Sequence, residues 1–218
     1  RKRRVVLDVD LASPAGRSQT ARNGDVLRVL RVRPTLDGGV VVQGHVFAPT
    51  AVAYREGLRP SDVIRSVDDV KPNADLGYLV IRRELPPDRR ITVVSADLTA
   101  ALLAPGSAAD VELMPRDQIT VFDLESGRER VIKPLLDEMR LQARIDRPTE
   151  LVRVAGRVRV PGEYPLEPNM KVSDLLRAGG SLSDAAYGGE AELTRFIVGG
   201  DGARKTELLK IDLAAVLA

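Results

Sequence analysis

The sequence predicts an α+β fold, and three patterns lead to that class. From residue 152 valine and arginine alternate, which is the period of a strand with one buried face. Pro161-Gly162 is a turn signal and the alternation then resumes, so residues 152–166 are predicted to form a β-hairpin. A short helix capped by Ser173 and a strand near Leu193 follow. This order of elements is the plan of a small β-grasp unit.

The predicted helix ends at two consecutive glycines, Gly179 and Gly180. Glycine adopts the left-handed conformation that commonly closes a helix. We expect Gly179 to be the left-handed residue.

An earlier copy of the same pattern begins near residue 40. Residue types recur at a constant distance of 112 positions, in the pairs Gly44 and Gly156, Val46 and Val158, Pro49 and Pro161, Ser61 and Ser173, and Asp62 and Asp174. An internal repeat of this kind predicts two units of one architecture. One inserted residue then aligns Arg82 with Arg195 at the ends of equivalent strands.

The first copy continues into an alternating stretch, residues 111–122, which we expect to close its sheet. A similar signature occurs at residues 24–32, whereas nothing comparable follows Leu213. The predicted domains are therefore residues 1–32, the closing strands of a preceding repeat; 33–125, the first β-grasp domain; 126–149, a connecting helix; and 150–218, a second β-grasp domain that lacks its closing strand.

The connecting helix is predicted over residues 130–144. Its apolar side chains recur at the helical period, and Asp146-Arg147-Pro148 is expected to end it. Pro134 is placed near the start, where the missing N–H has no cost. The shared apolar face comprises Ile132, Leu135, Leu136, Met139 and Ala143.

The motifs of the second copy resemble the SLBB (soluble ligand-binding β-grasp) domain. The resemblance rests on V-x-G-x-V-x-x-P-G-x-Y-P-L from Val154, S-D-L-L-x-A-G-G from Ser173, Ala186-Tyr187, and Leu193-Thr-Arg195. The particular residues at these positions are similar to those of polysaccharide biosynthesis/export proteins of Gram-negative envelopes, the Wza-like group. This resemblance implies tandem SLBB domains in a periplasmic module, associated with the outer membrane, of a capsule or exopolysaccharide export protein.

Composition argues against several other classes. The chain has 33 basic and 31 acidic residues, a balance that does not favour a nucleic-acid partner. It has no cysteine, and His45 is its single histidine, placed in an alternating strand. We therefore expect no metal site, no cofactor and no enzyme activity, since a nucleophile–base pair is lacking. No apolar run approaches the ~20 residues of a membrane span. The chain lacks an initiator Met, so we expect it to be a piece of a longer protein.

Saccharide recognition commonly uses aromatic faces, so the tyrosines are the candidate contacts. The candidate ligand-binding residues are Tyr164, Tyr187, Arg195, Tyr78 and Arg82. For the tyrosines the alternative is a place in the core or an interface. For the two arginines, which end equivalent strands, the alternative is to cover the sheet edge or to bridge to the neighbouring repeat.

Two functions of different class remain from the sequence. The first is a non-catalytic export module that packs into a ring with copies of itself and with other export-machinery proteins, and through which glycan passes. The second is a module that grips a soluble saccharide through tyrosine and arginine.

Overall fold

A computed structural model of the chain describes residues 14–26, 38–124, 127–145, 147–198 and 204–217. The chain forms two compact units, Arg1–Val32 and Arg33–Ala218. In the first, helix α1 (Pro14–Arg17) precedes a turn in which the Asp25 amide donates to the Arg22 carbonyl at 3.0 Å. The strands expected before residue 14 and after Val26, and the turn at 199–203, lie outside the described residues.

The second unit begins with a five-stranded sheet of order β2-β1-β5-β3-β4. Its central strand, β5, runs parallel to β1 and antiparallel to β3. This is the closing strand that the alternating stretch predicts. The strands are β1 (Gly39–Gly44), β2 (Thr50–Ala53), β3 (Ala74–Leu85), β4 (Arg90–Ala96) and β5 (Gln118–Asp123).

One face of this sheet covers the first of two hydrophobic cores. Helices α2 (Pro60–Val63) and α3 (Leu98–Leu103) and a 3₁₀ turn (Val67–Asp69) connect its strands. Asp97 caps α3 by accepting the Ala100 amide at 2.9 Å. The alternation of β3 places Leu79 and Ile81 in this core, and Tyr78 and Val80 on the opposite face.

Helix α4 (Arg128–Leu141) follows and packs on that opposite face, in the second core. It begins two residues earlier than predicted, because Gly127 at φ 83° turns the chain into it. Pro134 therefore lies inside the helix, where it cannot donate to the carbonyl four residues back. The helix ends at Leu141, before the predicted residue 144, and Gln142 is its C-terminal cap. The Gln142 side chain accepts from the Ile91 amide at 2.6 Å and donates to the Ile91 carbonyl at 3.2 Å, in β4.

The remaining elements form two separate two-stranded sheets, β6-β7 and β8-β9. Two helices complete them, α5 after β7 and α6 after β9. The bounds are β6 (Leu151–Val154), β7 (Gly162–Pro165), α5 (Val172–Ala178), β8 (Glu190–Val198), β9 (Arg204–Asp212) and α6 (Leu213–Leu217).

Features of the first half recur in the second at the distance found in the sequence. The β1-β2 hairpin pairs Gly39 with Ala53, and the β6-β7 hairpin pairs Leu151 with Pro165. Both copies also have an isolated antiparallel bridge and a helix entry in which an aspartate accepts a backbone N–H three residues back. The bridges are Val46–Val70 and Val158–Leu182, and the helix-entry bonds are Arg59 N to Asp62 and Lys171 N to Asp174.

The end of α5 corrects one sequence expectation. Gly180, not Gly179, is left-handed, with φ 73° against φ −75° for Gly179. The Ser181 amide donates to the Leu176 carbonyl at 2.8 Å, and the Gly180 amide to that of Arg177 at 3.0 Å. These two bonds define a Schellman motif, in which the residue after the cap is the left-handed one. Gly179 is confined instead by packing, because an added Cβ would approach β6 to 3.0 Å.

Candidate functional site

The two halves differ in how their hairpins meet. In the first, β5 lies between β1 and β3 and pairs with both. In the second, no strand of the described chain pairs with the facing edges of β6 and β8. A groove with a volume of about 530 Å³ lies between these edges.

This groove, called here the open slot, has an apolar floor and a charged rim. The floor comes from α5, α6 and the inward side chains of both hairpins. The rim carries exposed arginines and exposed glutamates. Such a surface offers both apolar contact and strong hydrogen bonding to an occupant. The floor includes Val154, Val158, Leu175, Leu176, Leu193 and Leu213, and the rim Arg153, Arg157, Glu190 and Glu192.

Tyr187 stands at the edge of the open slot with 77% of its surface exposed. One side of its ring lies against Gly189, where an added Cβ would be 2.6 Å from the Tyr187 Cζ atom. The glycine therefore makes room for the ring, and the rest of the ring is open to solvent. Among the sequence candidates, Tyr187 is the tyrosine with an accessible face.

Tyr78 and Tyr164 occupy the second core instead, with 0% and 2% exposure. Their rings meet edge to face at 6.1 Å, and Tyr78 stacks on Phe122 at 5.8 Å. Burial raises the pKa of both hydroxyls. Neither ring presents a face to a saccharide, so these two take the core place that the sequence left as the alternative.

Arg82 is held in ion pairs on the face of β3 that packs against α4. Its guanidinium contacts Glu138 at 2.8 Å and Glu84 at 3.1 Å. Burial acts to lower the pKa of Arg82, but the hydrogen bonds that it donates to these two carboxylates outweigh burial and raise that pKa. The residue bridges β3 to α4 and has little capacity left for a ligand.

Arg195 is 56% exposed on β8, and its guanidinium lies 3.7 Å from Glu207 on the neighbouring strand. The hairpin register matches Arg195 to Arg83, not to Arg82. β3-β4 pairs Leu79 with Ala96, and β8-β9 pairs Ala191 with Ile211 before the next helix, so no residue is inserted ahead of β8. Two adjacent arginines in the first copy concealed this register in the sequence.

A second cleft, of about 520 Å³, lies between α4 and the β6-β7 hairpin. It is lined by charged side chains, of which Lys133 and Arg140 are already engaged, and it shares Arg153 with the rim of the open slot. Arg140 pairs with Glu163 and, at 2.7 Å, with Asp137, and Lys133 pairs with Asp137 at 2.6 Å. The open slot is therefore the better candidate, since its rim adds Arg157 to the shared Arg153, and neither arginine has a side-chain partner among the described residues.

Sequence reasoning missed Arg153, Arg157 and Gly189. The two arginines look like the polar face of an ordinary strand, and only the pairing of strands shows that they border a groove. Gly188-Gly189 after the tyrosine was the available signal, because paired glycines often mark a close approach.

Other site types find no support in the part of the chain that is described. It contains no group of three or more His, Cys, Asp or Glu side chains placed to hold a metal ion. None of its helices has the length and apolar character needed to cross a membrane.

The comparisons with known proteins bear on the half that contains the open slot. No curated protein matches the chain. Residues 151–204 match the family model of the SLBB domain. SLBB domains are binding domains, not a catalytic family, and the match suggests a module that binds a ligand of the polysaccharide class.

Proposed function

We propose that this chain is a non-catalytic, polysaccharide-binding part of an outer-membrane capsule or exopolysaccharide export protein, acting in the periplasm. Its glycan contact is the exposed ring of Tyr187, with the charged rim of the open slot beside it. The SLBB match over residues 151–204 supports the binding class. The resemblance of the motifs to export proteins supports the wider role.

The observation that carries the proposal is the exposure of Tyr187 above its glycine support. A sugar ring presents C–H groups on its face, and these pack on an aromatic ring. Its hydroxyls accept from guanidinium groups and donate to carboxylates. Arg157 and Glu190 lie along the same groove and supply both kinds of partner.

We also propose that residues 33–125 and 150–218 are two SLBB-like β-grasp domains joined by the helical segment 126–149. The support is the recurrence, at a spacing of 112 residues, of hairpin register, isolated bridge and helix entry. Gly44 and Gly156 also share a left-handed conformation, at φ 92° and 88°.

The test is calorimetric titration of the full chain with oligosaccharides from neutral and acidic bacterial polysaccharides. Tyr187→Ala should weaken binding by about tenfold or more, which corresponds to ~1.4 kcal/mol. Phe196→Ala is the matched control, because Phe196 is an equally exposed aromatic residue on β8 that does not line the slot. An equal loss of affinity in the two variants would contradict the role of Tyr187. Failure of the wild-type chain to bind any of the oligosaccharides would contradict saccharide binding itself.

The second candidate function is packing into a ring that guides glycan. The edges of β6 and β8 favour it, because no described strand pairs with them and such edges recruit other strands. Its cellular test is deletion of the gene, which should reduce surface polysaccharide and leave intracellular glycan intact. Fractionation should recover the protein in the periplasm with the outer membrane, and recovery in the cytoplasm would contradict the export role.

A further inference from the structure

The open slot has the shape that β5 fills in the first half. There, residues 41–44 of β1 and 79–82 of β3 pair with residues 118–121 of β5. The corresponding residues are 153–156 and 191–194. All of them except Thr194 line the open slot.

Two glycines show that described residues fill the space in the first half and leave it open in the second. At Gly44 an added Cβ would lie 2.2 Å from the Val121 carbonyl oxygen of β5. At Gly156, with nearly the same φ, an added Cβ would meet nothing within 4 Å. The backbone of the second half therefore keeps the conformation that admits a neighbouring strand, and no strand of the described residues lies there.

An arginine anchors β5 at its start. Asp117 is fully buried, and its carboxylate accepts from Arg83 Nη2 at 2.7 Å and from Arg83 Nε at 3.1 and 3.2 Å. Bidentate pairing of this kind fixes geometry as well as charge. Arg195 is the equivalent arginine in the second half, and its contact there is a long, exposed one to Glu207. No buried carboxylate of the described residues therefore faces Arg195 as Asp117 faces Arg83.

We propose that the open slot receives a β-strand from a second copy of this chain, formed by residues 24–30. In sequence Asp25 matches Asp117, and Leu27 and Val29 match Ile119 and Val121. Asp25 of the incoming strand pairs with Arg195, because the two have opposite charges and match Asp117 and Arg83 of the first half. The strand would cover the floor of the open slot, and the proposed saccharide contact, Tyr187, stands at the edge of the same slot.

The described part of the donor segment agrees with this role. Asp25 is exposed, and the Val26 side chain is 86% exposed. Strand addition satisfies the free N–H and C=O groups of β6 and β8, while alternate side chains of the strand cover the apolar floor. The donor and the acceptor are different surfaces, so the contact is heterologous and extends head to tail unless it closes into a ring.

The experiment is light scattering on the full chain over a concentration series, with two variants. Val29→Pro disables the strand, because proline removes a ladder N–H. Gly156→Asn blocks the slot, since asparagine tolerates the left-handed conformation and fills the space beside it. Wild type should grow in mass with concentration, whereas each variant alone should stay at the 23.7 kDa of one chain.

Mixing the two variants gives the sharpest outcome. One supplies an intact slot and the other an intact strand, so the mixture should form a complex of two chains and nothing larger. Wild type that stays monomeric at every concentration would overturn the proposal, as would two variants that associate like wild type. Association lost in Gly156→Asn but kept in Val29→Pro would show that a different strand occupies the slot, and would also overturn it.

A charge exchange tests the proposed Asp25–Arg195 pair separately. It also replaces the Gly156→Asn experiment if that variant does not fold. Arg195→Glu changes an exposed side chain and should abolish association, and Asp25→Arg in the same chain should restore it. Failure of the restoration would contradict the Asp25–Arg195 pairing. Association is measured by light scattering without saccharide, and saccharide binding by calorimetry at a concentration where the chain is a single species, so failure of one proposal remains distinguishable from failure of the other.

Discussion

Arg128 at the start of α4 and Asp75 in β3 form an ion pair in the protein interior, with 1% and 9% of their side chains exposed. The guanidinium also donates to the Ala178 carbonyl at 2.5 Å, at the end of α5. It lies 5.5 Å from the ring centre of Tyr78 and 5.2 Å from that of Phe122. One side chain therefore links the first sheet to the half that contains the open slot.

Removing this guanidinium should be strongly destabilising. Arg128→Ala leaves the Asp75 carboxylate buried without its partner, and losses of about 3–5 kcal/mol are typical of such changes. Urea unfolding followed by circular dichroism measures the free energy of unfolding. Arg130→Ala, an exposed position two residues along the helix, is the control and should stay within ~0.5 kcal/mol of wild type. Similar values for the two variants would contradict the role of Arg128.

Alanine at the two equivalent glycines should have unequal effects. Gly44→Ala and Gly156→Ala share the strain of a left-handed residue, on the order of 1 kcal/mol. Gly44→Ala in addition forces a methyl group against the Val121 carbonyl, 2.2 Å away, whereas Gly156→Ala enters open space. We expect Gly44→Ala to be the more destabilising by about 1–3 kcal/mol. Equal losses in the same urea assay would mean that the second slot is filled in the isolated chain.

The two buried tyrosines should also respond differently to loss of their hydroxyls. The Tyr164 hydroxyl donates to the Val160 carbonyl at 2.8 Å, so Tyr164→Phe should cost about 1 kcal/mol. The Tyr78 hydroxyl is buried and has no hydrogen-bond partner among the described residues. Tyr78→Phe should therefore be neutral or stabilising in thermal and urea unfolding. A loss at Tyr78 as large as that at Tyr164 would reveal a partner for its hydroxyl.

These residues show where sequence reasoning succeeds and where it stops. Alternation predicts the β6-β7 hairpin, because period 2 is a local property. The closing strand β5 is predicted for the same reason. The predicted turn at Pro161-Gly162 is wrong, since Gly162 lies in β7, paired with Val154, and the chain reverses over residues 155–161. Core or ligand contact cannot be decided for Tyr78 and Tyr187 from sequence, since burial depends on what packs against each strand.

Register and helix ends depend on contacts that are distant in sequence. If one inserted residue is allowed, the sequence aligns Arg195 with Arg82 as well as with Arg83. Only the strand registers, with the pairing of β8 and β9, assign Arg195 to Arg83. The sequence alone likewise does not distinguish Gly179 from Gly180 as the left-handed residue. The Schellman bonds, together with the close approach of β6, decide which of them is left-handed.

Glu167 should give the protein a measurable pH dependence. Burial raises the pKa of its carboxyl, against a lowering contribution from the Ser95 donors. The Ser95 amide donates to Oε2 at 2.6 Å, and Oε1 is buried without a partner in the described chain. A raised folded pKa means that the stabilising contribution is complete below the unfolded value near 4.5, and is lost as pH rises through the folded value.

Glu167→Gln removes this titration and keeps an oxygen that can accept from Ser95. The free energy of unfolding of the variant should therefore gain on wild type as pH increases from about 4 to about 7. Urea unfolding at several pH values measures the difference. Glu112→Gln, at an exposed position, is the control and should follow the wild-type profile. A constant difference between Glu167→Gln and wild type across this range would contradict the raised pKa.

Amide hydrogen exchange tests the open slot most directly. The amides of Val41 and His45 donate to β5, at 3.0 Å to the Asp117 carbonyl and 2.9 Å to the Val121 carbonyl. The equivalent amides are those of Arg153 and Arg157. These amides are expected to point into the slot, because the two hairpins have the same register and the same alternation of hydrogen-bonded positions.

The measurement is made on the Val29→Pro variant, in which the proposed donor strand is disabled. We predict slow exchange for the Val41 and His45 amides and fast exchange for those of Arg153 and Arg157. Exchange at Arg153 and Arg157 as slow as at Val41 and His45 would contradict the account, because it would mean that a strand of the same chain already occupies the slot.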